Sequence, residues 1–172
     1  MEELSQMLGA DFRDQAVLRI SESLGKIQGC LSQLDEEAFW YEPNTTSNSA
    51  ATLLGHLQGN LGHYIISGLG GVEDQRDREA EFTGKDTRER RDIEADFFEV
   101  AQKAIRLIQT LPETALVQRK RVQGFELSGL GIILHVVEHL SYHTGQLVYL
   151  TKQLGDVDLG FYKDFDLNQK NE

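Results

Sequence analysis

The sequence predicts an all-α protein, a four-helix bundle with long crossover connections. Three observations predict it. Four stretches carry apolar residues at helical spacing, the chain holds only two prolines, and no segment shows a convincing strand alternation. A length of 172 residues suits one domain with a full hydrophobic core, here expected as a bundle over about 5–155 and a tail over 156–172.

The first helix spans 4–34, with Leu8, Phe12, Ala16, Leu18, Ile20, Leu24, Ile27, Leu31 and Leu34 as its apolar positions. Asp35-Glu36-Glu37 breaks the pattern, and an aromatic loop follows in which Trp40 is expected to plug one end of the core. Pro43 disfavours helix at Glu42. Ser47-Asn48-Ser49 supplies N-cap side chains for a second helix. That helix carries Leu53, Leu54, Leu57, Leu61, Tyr64, Ile65 and Leu69 and ends at Gly68-Leu69-Gly70-Gly71. Residues 72–86 mix charges without periodicity and are expected to form a solvated loop. Asp86-x-x-Glu89 resembles a capping box. It opens a third helix through Ile93, Phe97, Ala101, Ile105 and Ile108, stopped by Pro112. Residues 113–126 form a polar crossover. The fourth helix runs from near Ser128 to about Leu154. Leu159, Phe161, Tyr162 and Phe165 of the tail are available to pack on the bundle or on a second subunit.

Bulk properties exclude several function classes. A formal net charge of -11 opposes a nucleic-acid partner, because phosphate binding needs a basic surface. Arg119-Lys120-Arg121 is a basic triplet that an exposed loop explains. Apolar runs such as Ile132 to Leu134 are far short of a membrane span. The start, Met1-Glu2-Glu3, lacks the features of a signal peptide. The single cysteine, Cys30, allows no internal disulfide and fits a small core residue. Together these features fit a cytoplasmic protein.

Chemistry concentrates in the fourth helix. His135, His139 and His143 follow one another at intervals of four, which on a helix places them in one slanted row. Two neighbours in such a row can clamp one metal ion, and His56 on the second helix is available as a third ligand. Three imidazoles plus an open position describe a catalytic metal site, and neutral imidazole suits zinc, nickel, copper or iron alike. The alternative is three histidines lining a polar seam, which spacing alone leaves open. His63 lies two turns beyond His56, too far to share an ion with it. His135 to His139 also matches H-x-x-E-H, with Glu138 as general base, but a compact bundle leaves little room for a peptidase cleft. No Glu-x-x-His di-iron signature, G-x-S-x-G elbow, Walker loop or dinucleotide fingerprint occurs.

His139-Leu140-Ser141-Tyr142-His143-Thr144-Gly145-Gln146 resembles the H-x-x-x-H-x-G-Q signature of the DinB/YfiT-like superfamily. Ser49 to Leu57 resembles its helix-two element S-x-x-x-L-x-x-H-L, and Trp40-x-x-Pro43 fits before it. Order and distances agree over roughly residues 5–155. The resemblance implies a four-helix bundle, commonly a homodimer, with His56, His139 and His143 as metal ligands and His135 as a neighbour one turn away. It also implies a divalent ion, zinc or nickel, and chemistry on a small-molecule substrate. Relatives include bacillithiol S-transferases and mycothiol-dependent isomerases. The expected activity is therefore activation of a low-molecular-weight thiol, or of water, on a three-histidine site. The alternative is a non-catalytic metal-binding or stress-associated interaction protein. Gln146, seven residues after His139 on nearly the same face, is placed to orient a ligand or substrate or, equally, to pack against a backbone group. Glu138 points about 100° from His139 and is expected to make an outer or interhelix contact. Tyr142 reads first as a core aromatic and second as a pocket wall.

Overall fold

The structure is a computed structural model that describes residues 2–83 and 87–170. Its long elements are α1 (Glu2–Leu31), α3 (Ala50–Leu61), α5 (Arg90–Thr110) and α7 (Gly129–Gly155). α1 packs on α5 and α7, and α3 packs on the same two helices, which closes a four-helix bundle. One hydrophobic cluster runs through it, with Ile20, Ile27, Leu54, Phe97, Ile108, Ile132 and Val136 among its solvent-free members.

The helix boundaries follow local chemistry. Ser49 caps α3 by accepting a hydrogen bond from the Thr52 N–H at 3.1 Å, and Ser128 caps α7 by accepting from Gly131 at 3.1 Å. α5 ends at Thr110, with Leu111 as its C-cap directly before Pro112. It begins at Arg90 with Glu89 in the cap position and no side-chain cap bond; Asp86 of the expected capping box lies outside the described residues. α1 stops at Leu31, not at Leu34, and Leu8 and Leu18, expected on its apolar face, are exposed.

Several connections depart from expectation. The residue that plugs the core is Phe39 of α2 (Glu36–Trp40), with the Arg90 guanidinium 4.8 Å above its ring. Trp40 is only partly buried against Phe39 and donates its indole N–H to Glu36. After Leu61 the chain does not continue as α-helix but forms a π-helical turn over Gly62–Ser67, in which Tyr64 and Ile65 are both buried. The stretch 72–86 is not wholly a solvated loop. It contains α4 (Ala80–Thr83), and its Arg76 and Glu81 side chains are only 7% and 11% exposed.

The crossover after α5 also has structure. It contains α6 (Glu113–Val117) and an antiparallel hairpin of β1 (Arg119–Val122) and β2 (Phe125–Ser128). Arg119 faces Ser128 and Val122 faces Phe125. The two turn residues, Gln123 and Gly124, both have positive φ, +51° and +84°, the backbone that matches strand twist in a two-residue hairpin. The sequence hides this strand pair because Val122 alone is buried on β1, leaving no alternation to detect. In the tail, Leu159 and Phe161 pack on the core, while Phe165 is exposed. Cys30 is a fully buried core residue whose thiol burial pushes upward in pKa. Among the described residues no helix is long and apolar enough to cross a membrane.

Candidate metal centre

α3 and α7 pack together and bring His56, His139 and His143 into a triangle. Their ring centroids lie 4.9, 4.9 and 4.5 Å apart. One nitrogen from each ring falls within 4.8 Å of the others. A small contraction brings three such nitrogens to about 2.0–2.1 Å from one ion.

Two of the three rings are oriented by oxygen acceptors. His56 Nδ1 meets Glu81 Oε2 at 2.9 Å, and His143 Nδ1 meets Gln146 Oε1 at 2.7 Å. Each oxygen accepts, so Nδ1 carries the proton and Nε2 keeps its lone pair for the centre. His56 Nε2 lies 3.1 Å from His139 Nε2. His139 Nδ1 is buried and without a partner, so its ring is set by the Nε2 contact with His56 and not by an outer acceptor. Burial, followed by the charges of His143, His56, His135 and Arg76, holds the His139 pKa down at about 3. Burial also lowers His143, against a smaller upward pull from Gln146. Three imidazoles in this spacing fit a borderline divalent cation.

Glu81 is held in turn by Arg76, whose Nε and terminal nitrogen donate to its two carboxylate oxygens at 2.6 and 2.9 Å. Burial raises the Glu81 pKa, but the hydrogen bonds from His56 and Arg76 outweigh it and the pKa ends lowered. Gly59, one turn after His56, makes room for the pair: a Cβ there would collide with Glu81 Oε1 and sit 2.9 Å from Arg76 Nε.

The other expected residues divide. Glu138 is exposed and, among the described residues, makes no hydrogen bond or ion pair; its charge acts on His135, pulling that pKa upward against burial. Tyr142 is 64% exposed, so it is not a core aromatic. It packs edge-on against His143 and lines the cavity, because a residue one before His143 faces the bundle rim rather than its axis. His135 stacks on Tyr64 at 4.3 Å and lies outside the triad; burial lowers its pKa. His63 turns to Asp74, with Nδ1 at 2.7 Å from its carboxylate.

Arg76 and Glu81 were missed in the sequence, as were Phe82 and the hairpin residues Gln123 and Phe125, which line a cavity of about 600 Å³ beside the triad. The one local signal was the Arg76-to-Glu81 charge pairing at i, i+5, which a solvated loop also produces.

Comparison with known proteins agrees with this fold. The family model described as "Protein of unknown function (DUF1572)" matches residues 8–162. A crystal structure of a DinB-like protein, YjoA from Bacillus subtilis, superposes with a TM-score of 0.65 at 20% identity. The match covers 86% of this chain and 96% of that one. No curated protein matches the sequence. The chain therefore belongs to the DUF1572 family of proteins of unknown function, and it shares the helical-bundle fold of the DinB-like protein.

Proposed function

We propose that this chain binds one divalent metal ion, zinc or nickel, through His56, His139 and His143, and is a metal-dependent enzyme acting on a small molecule. The observation that carries the reading is the juxtaposition of three ring nitrogens within 4.8 Å of one another with a cavity of about 600 Å³. The chemistry such an ion supplies is Lewis-acidic, lowering the pKa of a low-molecular-weight thiol or of water at the open position. The protein's part is to orient and to enclose. Glu81 and Gln146 hold His56 and His143 with Nε2 inward, the role that outer carboxylates and amides play around metal-bound histidines. Phe82, Phe125 and Tyr142 give the cavity aromatic walls that limit water around a bound substrate. The exposed Leu4, Met7 and Leu8 on α1 and Phe165 in the tail support a homodimer, which light scattering would test.

The test is metal content by mass spectrometry of tag-free protein purified without added metal, beside alanine variants of His56, His135, His139 and His143. The expected result is about one ion per chain, lost in the three triad variants and kept in His135→Ala. Thiol-dependent loss of a test electrophile, abolished by His139→Ala, then separates enzyme from metal carrier. No ion in the parent, even after incubation with zinc or nickel, removes the mechanism.

A further inference from the structure

The chain has 28 acidic and 17 basic residues, so a cavity in its surface is expected to be lined by carboxylates. The larger cavity, about 900 Å³, follows that expectation, with Glu42, Glu73, Asp74 and Asp77 on its wall. The triad cavity does not. It is lined by Arg76 and Arg78 and, among the described residues, by no carboxylate. Arg76 is neutralised through its two-pronged pairing with Glu81. Arg78 has no such partner: its guanidinium lies 5.3 Å above the Phe82 ring, with no ion pair among the described residues. One positive charge is therefore left over at the mouth of the cavity.

A second donor lines the same cavity. Gln123 occupies the hairpin tip with φ +51°, a backbone uncommon for a residue other than glycine and held here by the turn. Tyr64, itself buried, donates its hydroxyl to Gln123 Oε1 at 2.7 Å. That bond uses the acceptor end of the amide and leaves the NH₂ end, a donor only, at the cavity. Aromatic surface from Phe82, Phe125 and Tyr142 completes the lining. An unpaired guanidinium and an amide donor with no carboxylate beside them favour an anion, and aromatic walls favour an apolar body.

We propose that the triad cavity takes a small anionic ligand, a carboxylate or phosphate joined to an apolar or aromatic body, and that Arg78 and the Gln123 amide select the anion. This rests on the reading of the triad as the reacting centre, but its test does not require the metal.

The experiment is calorimetric binding of 3-phenylpropionate, phenyl phosphate and the uncharged 3-phenylpropionamide to the full chain, with and without added zinc. The anions should bind about tenfold tighter than the amide in both states. Arg78→Ala should remove most of that preference, Arg78→Lys should keep much of it, and Gln123→Ala should reduce it by less. Tyr142→Ala should weaken all three probes alike. The carboxylate and phosphate arms show which anion fits better. Equal binding of charged and uncharged probes, a preference untouched by Arg78→Ala, or no binding of any probe would overturn the proposal. If the protein retains no ion, the zinc-free titration still decides this question, while metal content decides the other.

Discussion

His143 takes its orientation from Gln146, three residues on along the same helix, whereas His56 takes its orientation from Glu81, 25 residues away across an irregular connection. The two contacts have the same chemistry and similar lengths. They differ in what must be folded before they exist. The α7 pair is present once one helical turn forms. The α3 contact requires the 72–83 segment to dock, Arg76 to pair with Glu81, and Gly59 to leave the space. One side of the centre is thus local and robust, and the other is tertiary and conditional. A third ring, His139, has no acceptor on its buried Nδ1 at all and depends on the other two for its setting.

That contrast can be broken in graded steps. The largest effect is expected from His139→Ala, which removes the ring between the other two and should abolish stoichiometric metal retention in mass spectrometry. Glu81→Ala comes next. It frees the His56 ring and leaves the Arg76 guanidinium buried and unpaired. Zinc affinity should fall by about 10–100-fold, the usual range for lost outer contacts, and stability by about 3 kcal/mol in denaturant unfolding. If affinity is unchanged while stability drops, Glu81 serves the fold and not the centre.

Acid should act mainly through His139. Its pKa is about 3 in the folded chain against an ordinary value near 6.5 when unfolded. Between those limits the unfolded chain binds the proton and the folded chain does not, so acid favours unfolding. Stability of metal-free protein should therefore decline as pH falls from about 6.5 toward about 3, with a shallower decline in His139→Ala. A steeper decline in that variant would contradict the assignment.

Gly59→Ala sharpens the comparison without removing any functional group. The added methyl should displace the Glu81–Arg76 pair, costing about 1–3 kcal/mol and lowering zinc affinity in the direction of Glu81→Ala. In the Glu81→Ala background the same substitution should cost much less. The smallest effect is expected from Gln146→Ala, because Gln146 is exposed and water can replace its carbonyl. A drop of about tenfold or less in zinc affinity would support the local, forgiving character of that side.

The bundle was legible because burying an apolar stripe at helical period leaves a periodic record along the chain. α7 was foreseen almost to the residue, with its start near Ser128 and its end near Leu154. The row His135, His139, His143 was legible for the same reason, and the family signature that His139 to Gln146 resembles singled out two of the three. Trp40 and Tyr142 were misplaced because each sits at an edge. There, helical period alone does not say how far the neighbouring segment extends.

The sequence by itself determined the four long helices and the histidine row, since each depends on residues a few positions apart. Only the tertiary structure decided that His56 meets His139 and that Arg76 and Glu81 are buried behind it. It alone placed Gln123 and Phe125 of an unforeseen hairpin over the same cavity. Those are meetings between segments distant along the chain. They are decided by where the bundle leaves room, and composition and spacing along one segment do not record that.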